Sequence, residues 1–169
     1  MKTVSKLKYF PAMTLMELII VIAILGILAA VIMPRVQEAR KEAKIAQARL
    51  QLSQIVHAIK LLENDTNEWP DHKQVDVIES GASGNEVWDL NTPQAGLMAT
   101  DGDYNNWRGP YISRVPKDPW DQNYFFDTDY DVDAGPGEKW AATAGSFGPD
   151  GIGPNLYNSD DIYIIFRSE

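Results

Sequence analysis

No cysteine occurs in the 169 residues, so a disulfide framework and a thiolate metal site are both excluded. Histidine is nearly absent too. His57 and His72 stand alone, without a paired ligand in sequence, and both read as structural or solvated. Basic residues are scarce: 15 Lys and Arg face 24 Asp and Glu, a net charge of −9. Lys2, Lys6 and Lys8 sit among residues 1–12 with no acid, so the rest of the chain has 12 basic and 24 acidic residues, a net of −12. A nucleic-acid interface needs a basic stripe, and none follows Lys60, which argues against such a partner. A strongly acidic soluble part suits divalent cations or basic partners, or serves solubility alone. No nucleophile stands beside a base, so neither an enzyme nor a small-molecule substrate is expected.

What the chain has in abundance is apolar sequence near its start. Met13 to Met33 is a 21-residue run whose only charge is Glu17, and the sixteen residues from Leu18 onward carry no polar side chain. This approaches the roughly 20 residues that cross a bilayer core. A cleaved secretory signal would be shorter and end in a small-x-small site. Here the run flows into Pro34-Arg35 and an amphipathic segment. A membrane anchor fits the length, and the lysines before it would keep the N-terminus cytoplasmic. That anchor leaves Glu17 unexplained, unless it lies at the interface where a carboxylate costs little. An ionisable residue within a membrane helix is otherwise a functional candidate with a partner to be named.

Beyond Pro34, which removes a backbone donor and is expected to kink or locally unwind the helix, residues 35–64 read as one amphipathic helix. Ile45, Ala48, Leu52, Ile55, Ile59 and Leu62 recur at spacings of three and four, an apolar stripe for packing on a sheet of the same subunit. Ala39, Ala43 and Ala46 form a narrower small-residue face suited to close helix approach. Asn64-Asp65-Thr66-Asn67 ends the helix with turn formers.

Residues 65–169 hold most of the glycine and proline and read as a loop-rich β region, with 71–110 as a long connector. Residues 122–126 lead into an alternation, with Phe126, Thr128, Tyr130 and Val132 on one face and Asp127, Asp129, Asp131 and Asp133 on the other. Ala134-Gly135-Pro136-Gly137 is a turn; Lys139–Ser146 and Ile162–Phe166 are two more strands. Asp127, Asp129, Asp131, Asp133 and Glu138 match positions 1, 3, 5, 7 and 12 of an EF-hand loop, but Val132 replaces the required glycine. Asp101, Asp103 and Asn105 repeat a similar pattern without a closing glutamate. The segment from Ser146-Phe147-Gly148-Pro149-Asp150-Gly151 to Asn158-Ser159-Asp160-Asp161 brackets a loop with carboxylates at both ends, which suits calcium or an acidic loop held by backbone bonds.

Ala12-Met13-Thr14-Leu15-Met16-Glu17-Leu18, after a basic leader and before the apolar run, resembles the processing motif of type IV pilins and pseudopilins. The resemblance implies cleavage by a prepilin peptidase between Ala12 and Met13, N-methylation of Met13, and assembly roles for Glu17, Gly26 and Pro34. Ala12 departs from the family's usual glycine, which implies slower processing. A methylated amine stays cationic, and Glu17 of one subunit would pair with it on the neighbour. Two unit charges at 4 Å are worth roughly 4 kcal/mol at an effective dielectric near 20, and such a pair would set register.

Later motifs narrow the family. Asn67-Glu68-Trp69-Pro70, Thr92-Pro93-Gln94-Ala95-Gly96-Leu97, Trp107-Arg108-Gly109-Pro110-Tyr111-Ile112, Pro116-Lys117-Asp118-Pro119-Trp120 and the loop motif resemble, in this order, the G-type major pseudopilins of type II secretion systems. Asp121 stands where that group commonly has glycine. The resemblance implies one structural calcium ion held by Asp150, Asp160 and Asp161, by the carbonyls of Phe147 and Ile152, and by Asn158. The implied fold is α+β and pilin-like: a long N-terminal helix, membrane-spanning in its first half, on a three-stranded antiparallel sheet. The implied organisation is a leader over 1–12, helix halves over 13–34 and 35–64, and a periplasmic head over 65–169, with loops to 121 and the β region from 122. Such a subunit sits in the inner membrane with a cytoplasmic N-terminus and polymerises into a periplasmic filament. Its implied partners are copies of itself, minor pseudopilins and an inner-membrane assembly platform. A surface type IV pilin, which usually carries a disulfide, and a tethered calcium-binding module that never polymerises are the alternatives.

Overall fold

A computed structural model describes residues 13–78, 84–133, 139–153 and 160–168. The leader with Ala12, the 134–137 turn, Glu138 and Asn158 lie outside the described residues. The chain divides into two compact units at Glu42/Ala43.

Helix α1, Leu15–Thr66, runs through both Gly26 and Pro34 as one assigned element. The expected local unwinding at Pro34 is not seen, because a single proline removes one of many ladder bonds in a helix this long. In the first unit, residues 13–42 are exposed in the single chain, including the aliphatic residues from Leu15 to Val36. In the second unit the stripe turns inward. Ala48, Leu52, Ile55, Ile59 and Leu62 are buried and Ile45 packs against them.

The head is built on β3 (Phe125–Asp131), β4 (Trp140–Ser146) and β5 (Ile162–Ser168), antiparallel in the order β3-β4-β5. One face of this sheet supplies Phe126, Ala142, Ala144, Ile162, Ile164 and Phe166 to the same core as the α1 stripe. Alanines at 142 and 144 leave room for helix side chains over the central strand. Two short strands, β1 (Glu68–Trp69) and β2 (Lys73–Gln74), follow α1 and pair with each other. Trp69 makes edge contacts with Phe126 and Phe166.

The fold departs from two expectations. Within residues 71–110, Val87, Leu90, Ala95, Leu97 and Tyr104 are buried in the core, so this is not a free connector. It is pinned by side chain to backbone bonds, Tyr104 Oη to the Gln94 carbonyl at 2.6 Å and Trp107 Nε1 to the Gly96 carbonyl at 2.7 Å. Strand β3, in turn, does not alternate strictly. Asp127 pairs with Thr143 but Tyr130 pairs with Ala141, so one extra residue is inserted between them. The bulge puts Tyr130 with Phe125, whose ring it stacks on at 5.5 Å, rather than with Phe126. Val132 and Asp133 fall beyond the strand, and Asp127 and Asp129 are buried rather than forming an outer row.

Candidate filament-forming helix and cation loop

The start of α1 is closed by a reciprocal pair. Thr14 Oγ1 accepts from the Glu17 backbone N–H at 3.2 Å, while Glu17 Oε2 accepts from the Thr14 backbone N–H and hydroxyl, each at 2.9 Å. This is a capping box, with Thr14 as the cap and Glu17 three residues on. The sequence signal for such a cap is Thr-x-x-Glu before an apolar run, which Thr14 and Glu17 supply. The single chain thus gives Glu17 a local role at the helix entrance, and the carboxylate stays exposed there. A Cβ on Gly26 would meet nothing within 4 Å, so packing inside one chain does not require that glycine. α1 is the one described helix long and apolar enough to cross a membrane, and none of its most apolar window is buried.

The loop between β4 and β5 is closed at its base by the register pair Ser146↔Ile162. Asp118 builds the near side. Its carboxylate accepts from the backbone N–H groups of Trp120 (2.9 Å) and Gln122 (2.8 Å) and from the Ser146 hydroxyl, and Ser146 Oγ accepts from Gly148 N–H at 3.1 Å. Asp118 belongs to a motif singled out by resemblance, but its role as a buried acceptor was not anticipated.

Gly148 has φ +64° and runs so close to Asp160 that a Cβ would collide with the Asp160 backbone oxygen. Phe147 is half-buried, stacked on Phe125 with centroids 4.5 Å apart, and Gly153 lies directly against its ring. Asp150 Oδ1 accepts from Ile152 N–H at 2.9 Å, and Asp161 Oδ2 accepts from Tyr130 Oη at 2.8 Å.

The fold therefore brings Phe147, Gly148, Asp160 and Asp161 to one loop base. Among the described residues no three Asp, Glu or His side chains converge as a metal-holding group, so Asp150 is not gathered with Asp160 and Asp161 by side chains alone. The donor chemistry, carboxylates plus backbone carbonyls, fits a hard cation.

Residues 35–163 match the protein G family of the type II secretion system. The chain belongs to that family. Its relatives include the type II secretion system core protein G of Pseudomonas aeruginosa, 29% identical over 150 residues that span 88% of this chain and 90% of that protein. The core protein G of Aeromonas hydrophila is 30% identical over 112 residues, 66% of this chain and 68% of that one. The major pseudopilin from the type 2 secretion system of enterohaemorrhagic Escherichia coli has a crystal structure that superposes with a TM-score of 0.47 at 21% identity, over 75% of this chain and 90% of that one. Protein G members are structural secretion-system subunits, and a long apolar helix leading into a small antiparallel sheet suits that role.

One more constellation lies outside the loop. His72, read from sequence as a lone histidine, is held from both sides: Nδ1 lies 2.7 Å from Glu68 Oε2 and Nε2 3.0 Å from Asp101 Oδ2, with the ring stacked on Tyr104 at 3.9 Å. Burial alone would lower its pKa, but the hydrogen bonds to Asp101 and Glu68 outweigh it and raise the imidazole above its ordinary value. Asp101 is lowered in return, first by its bond to His72. His57 is exposed, as expected.

Proposed function

We propose that this chain is the major pseudopilin of a type II secretion system, a subunit that polymerises into a periplasmic filament driving protein export. The observation that carries this reading is family membership over residues 35–163 together with an N-terminal apolar helix left bare in the single chain. An aliphatic surface from Leu15 to Val36 needs a cover that is not water. Lipid covers it while the subunit waits in the inner membrane with its N-terminus cytoplasmic and its head periplasmic, and helices of other copies cover it in the filament.

A prepilin peptidase cuts between Ala12 and Met13, and Met13 is then N-methylated. Glu17 pairs with the Met13 amine of a neighbouring copy while its capping bonds to Thr14 hold the carboxylate at the helix start. Gly26, Pro34 and the exposed Ala39, Ala43 and Ala46 serve helix packing between copies. Minor pseudopilins and the inner-membrane assembly platform are the remaining partners. The loop from Phe147 to Asp161 takes one calcium ion, with Asp150, Asp160 and Asp161 as carboxylate ligands, Phe147 and Ile152 as carbonyl donors, and Asn158 as a further oxygen. Calcium there stabilises the head and so favours assembly.

Deleting the gene in its own host and comparing extracellular proteins and surface fibres with the complemented strain tests the reading. Secreted proteins trapped in the periplasm with fibres unchanged are expected. Intact secretion with lost fibres would assign the chain to a surface pilus instead. For the loop, Asp160→Ala is expected to abolish the rise in Tm on adding calcium; an unchanged rise would remove calcium from the loop.

A further inference from the structure

His72 makes a pair of contacts that only one protonation state of its ring can satisfy. Nδ1 faces Glu68 Oε2 at 2.7 Å and Nε2 faces Asp101 Oδ2 at 3.0 Å. Ionised carboxylates only accept, and a neutral imidazole has one N–H and one lone pair. A neutral ring would therefore set its lone pair against one carboxylate at hydrogen-bond distance. Only the imidazolium donates on both sides.

The ring bridges two parts of the head. Glu68 lies in β1, while Asp101 comes from the segment after Pro93–Ala95, 29 residues from His72. Tyr104 of that same segment stacks on the ring at 3.9 Å, and its hydroxyl accepts from the His72 backbone N–H at 3.3 Å. The hairpin side of the bridge is strained. Glu68 pairs with Gln74 and Trp69 with Lys73, so Pro70, Asp71 and His72 form the turn. Asp71 and His72 have φ of +62° and +57°, two successive non-glycine residues in a region that L residues normally enter singly. Such a backbone persists where its surroundings over-determine it, and here the bonds of His72 do so.

The other ionisable groups nearby supply no substitute for this proton. Burial raises the Tyr104 phenol and keeps it neutral. Asp71 and Lys73 flank His72 along the hairpin, but neither side chain bonds to the ring among the described residues. Asp103 joins the cluster through its backbone N–H, which donates to Asp101 Oδ1 at 3.1 Å. The His72 side chain is 31% exposed, so its proton exchanges with solvent while the head stays folded.

We propose that His72 is a proton-operated latch: as the imidazolium it closes the segment around Asp101 and Tyr104 onto the β1–β2 hairpin, and on losing its proton it lets that segment open while the three-stranded sheet stays intact. Burial lowers the imidazole, but its bonds to Asp101 and Glu68 more than offset this and raise it. The latch is thus closed below pH 6.5 and opens as pH rises through the raised folded value. Opening frees two carboxylates on an already acidic head, so the surface offered to a partner changes with pH.

Amide hydrogen exchange on the detergent-solubilised full chain tests the latch, with each peptide referenced to the same peptide in denatured chain at that pH. Protection over residues 97–106 is expected to fall at least tenfold from about pH 6 to about pH 8.5, while β3 and β4 keep theirs. Asp127 titrates in the same range, pushed up to about 8 by burial first and then by a hydrogen bond shared with Asp129, so variants assign the step. His72→Gln is expected to be open at both pH values. Asp101→Asn is expected to be closed at both, because a carboxamide accepts from the imidazolium and donates to the lone pair of the neutral ring. Constant protection in wild type overturns the proposal, and so does a step of wild-type size in either variant. Should both variants unfold the head, seen as loss of near-UV circular dichroism, nitrogen-15 spectra of histidine-labelled wild type still decide. Two protonated ring nitrogens on His72 are expected at about pH 6, and a lone-pair nitrogen there overturns the latch.

Discussion

The Ser146 hydroxyl donates to the Asp118 carboxylate, joining the last residue of β4 to a turn 28 residues earlier in the chain. Asp118 is 5% exposed and also accepts from the backbone of Trp120 and Gln122, so one carboxylate shapes the turn before β3 and anchors the start of the loop after β4. Asp118→Ala leaves three donors without their acceptor. A loss of about 2–4 kcal/mol in a urea titration is expected, since each buried group left unsatisfied costs roughly 1–3 kcal/mol and partial hydration recovers some of it. Ser146→Ala, which removes one donor, should cost about 1 kcal/mol. Equal stability of Asp118→Ala and wild type would show that the carboxylate organises nothing.

The Thr14–Glu17 box separates two roles of one carboxylate. Thr14→Ala removes the cap hydroxyl and is expected to cost about 1 kcal/mol of local helix stability while leaving filament yield within severalfold of wild type. Glu17→Ala removes both the cap and the intersubunit charge. Membrane insertion is expected to persist and sheared filament yield to fall at least tenfold. Normal yield from Glu17→Ala would leave the cap as that residue's whole role.

Glycines 148 and 26 make a matched pair. At Gly148 a Cβ meets the Asp160 backbone and φ is +64°, so Gly148→Ala is expected to destabilise the head by about 1–3 kcal/mol. At Gly26 the space is open and the backbone helical, so Gly26→Ala should leave head unfolding unchanged. Any defect of Gly26→Ala should emerge only in assembly, measured as filament yield. A head destabilised by Gly26→Ala would contradict the division of the chain at Glu42/Ala43.

His72 predicts a pH dependence with a definite sign. Its folded pKa is raised above 6.5, so the stabilisation it contributes is fully present below pH 6.5 and is lost as pH rises through the folded value. Asp101, lowered below 3.8, contributes above that pH and loses its contribution as pH falls through its folded value. The Tm difference between wild type and His72→Gln should therefore be largest near pH 5–6 and shrink toward both pH 3 and pH 9. Asp127 titrates alike in both proteins and cancels in the difference. A difference that grew above pH 7 would reverse the assignment of charge to this imidazole.

Periodicity sufficed wherever one residue spacing decided which side is buried. The Ile45–Leu62 stripe, the three strands of the head and the apolar run from Leu18 are all local patterns, and each emerged within a few residues of its expected limits. Helix α1 continues to Thr66, two residues past the expected end, and the Thr66 hydroxyl there bonds back to the Leu62 carbonyl at 2.8 Å. The capping box is equally local, since Thr14 and Glu17 stand three residues apart at the helix entrance.

What the sequence determined by itself, then, is the family, the bare apolar helix and the helix-on-sheet plan, since these rest on order and spacing along the chain. Tertiary structure alone decided the partners of the polar groups. Asp118 meets Ser146, His72 meets Asp101 and Asn85 meets Asp129 across 28, 29 and 44 residues, separations at which no local pattern signals contact. The bulge in β3 belongs to the same class. A period-two reading assigns Asp127 and Asp129 to an outer row, and one residue inserted between two paired strands turns them into buried carboxylates. Hydrophobic burial is roughly additive along an element and so is written in the sequence, whereas hydrogen-bond satisfaction depends on which distant atoms packing places within 3 Å.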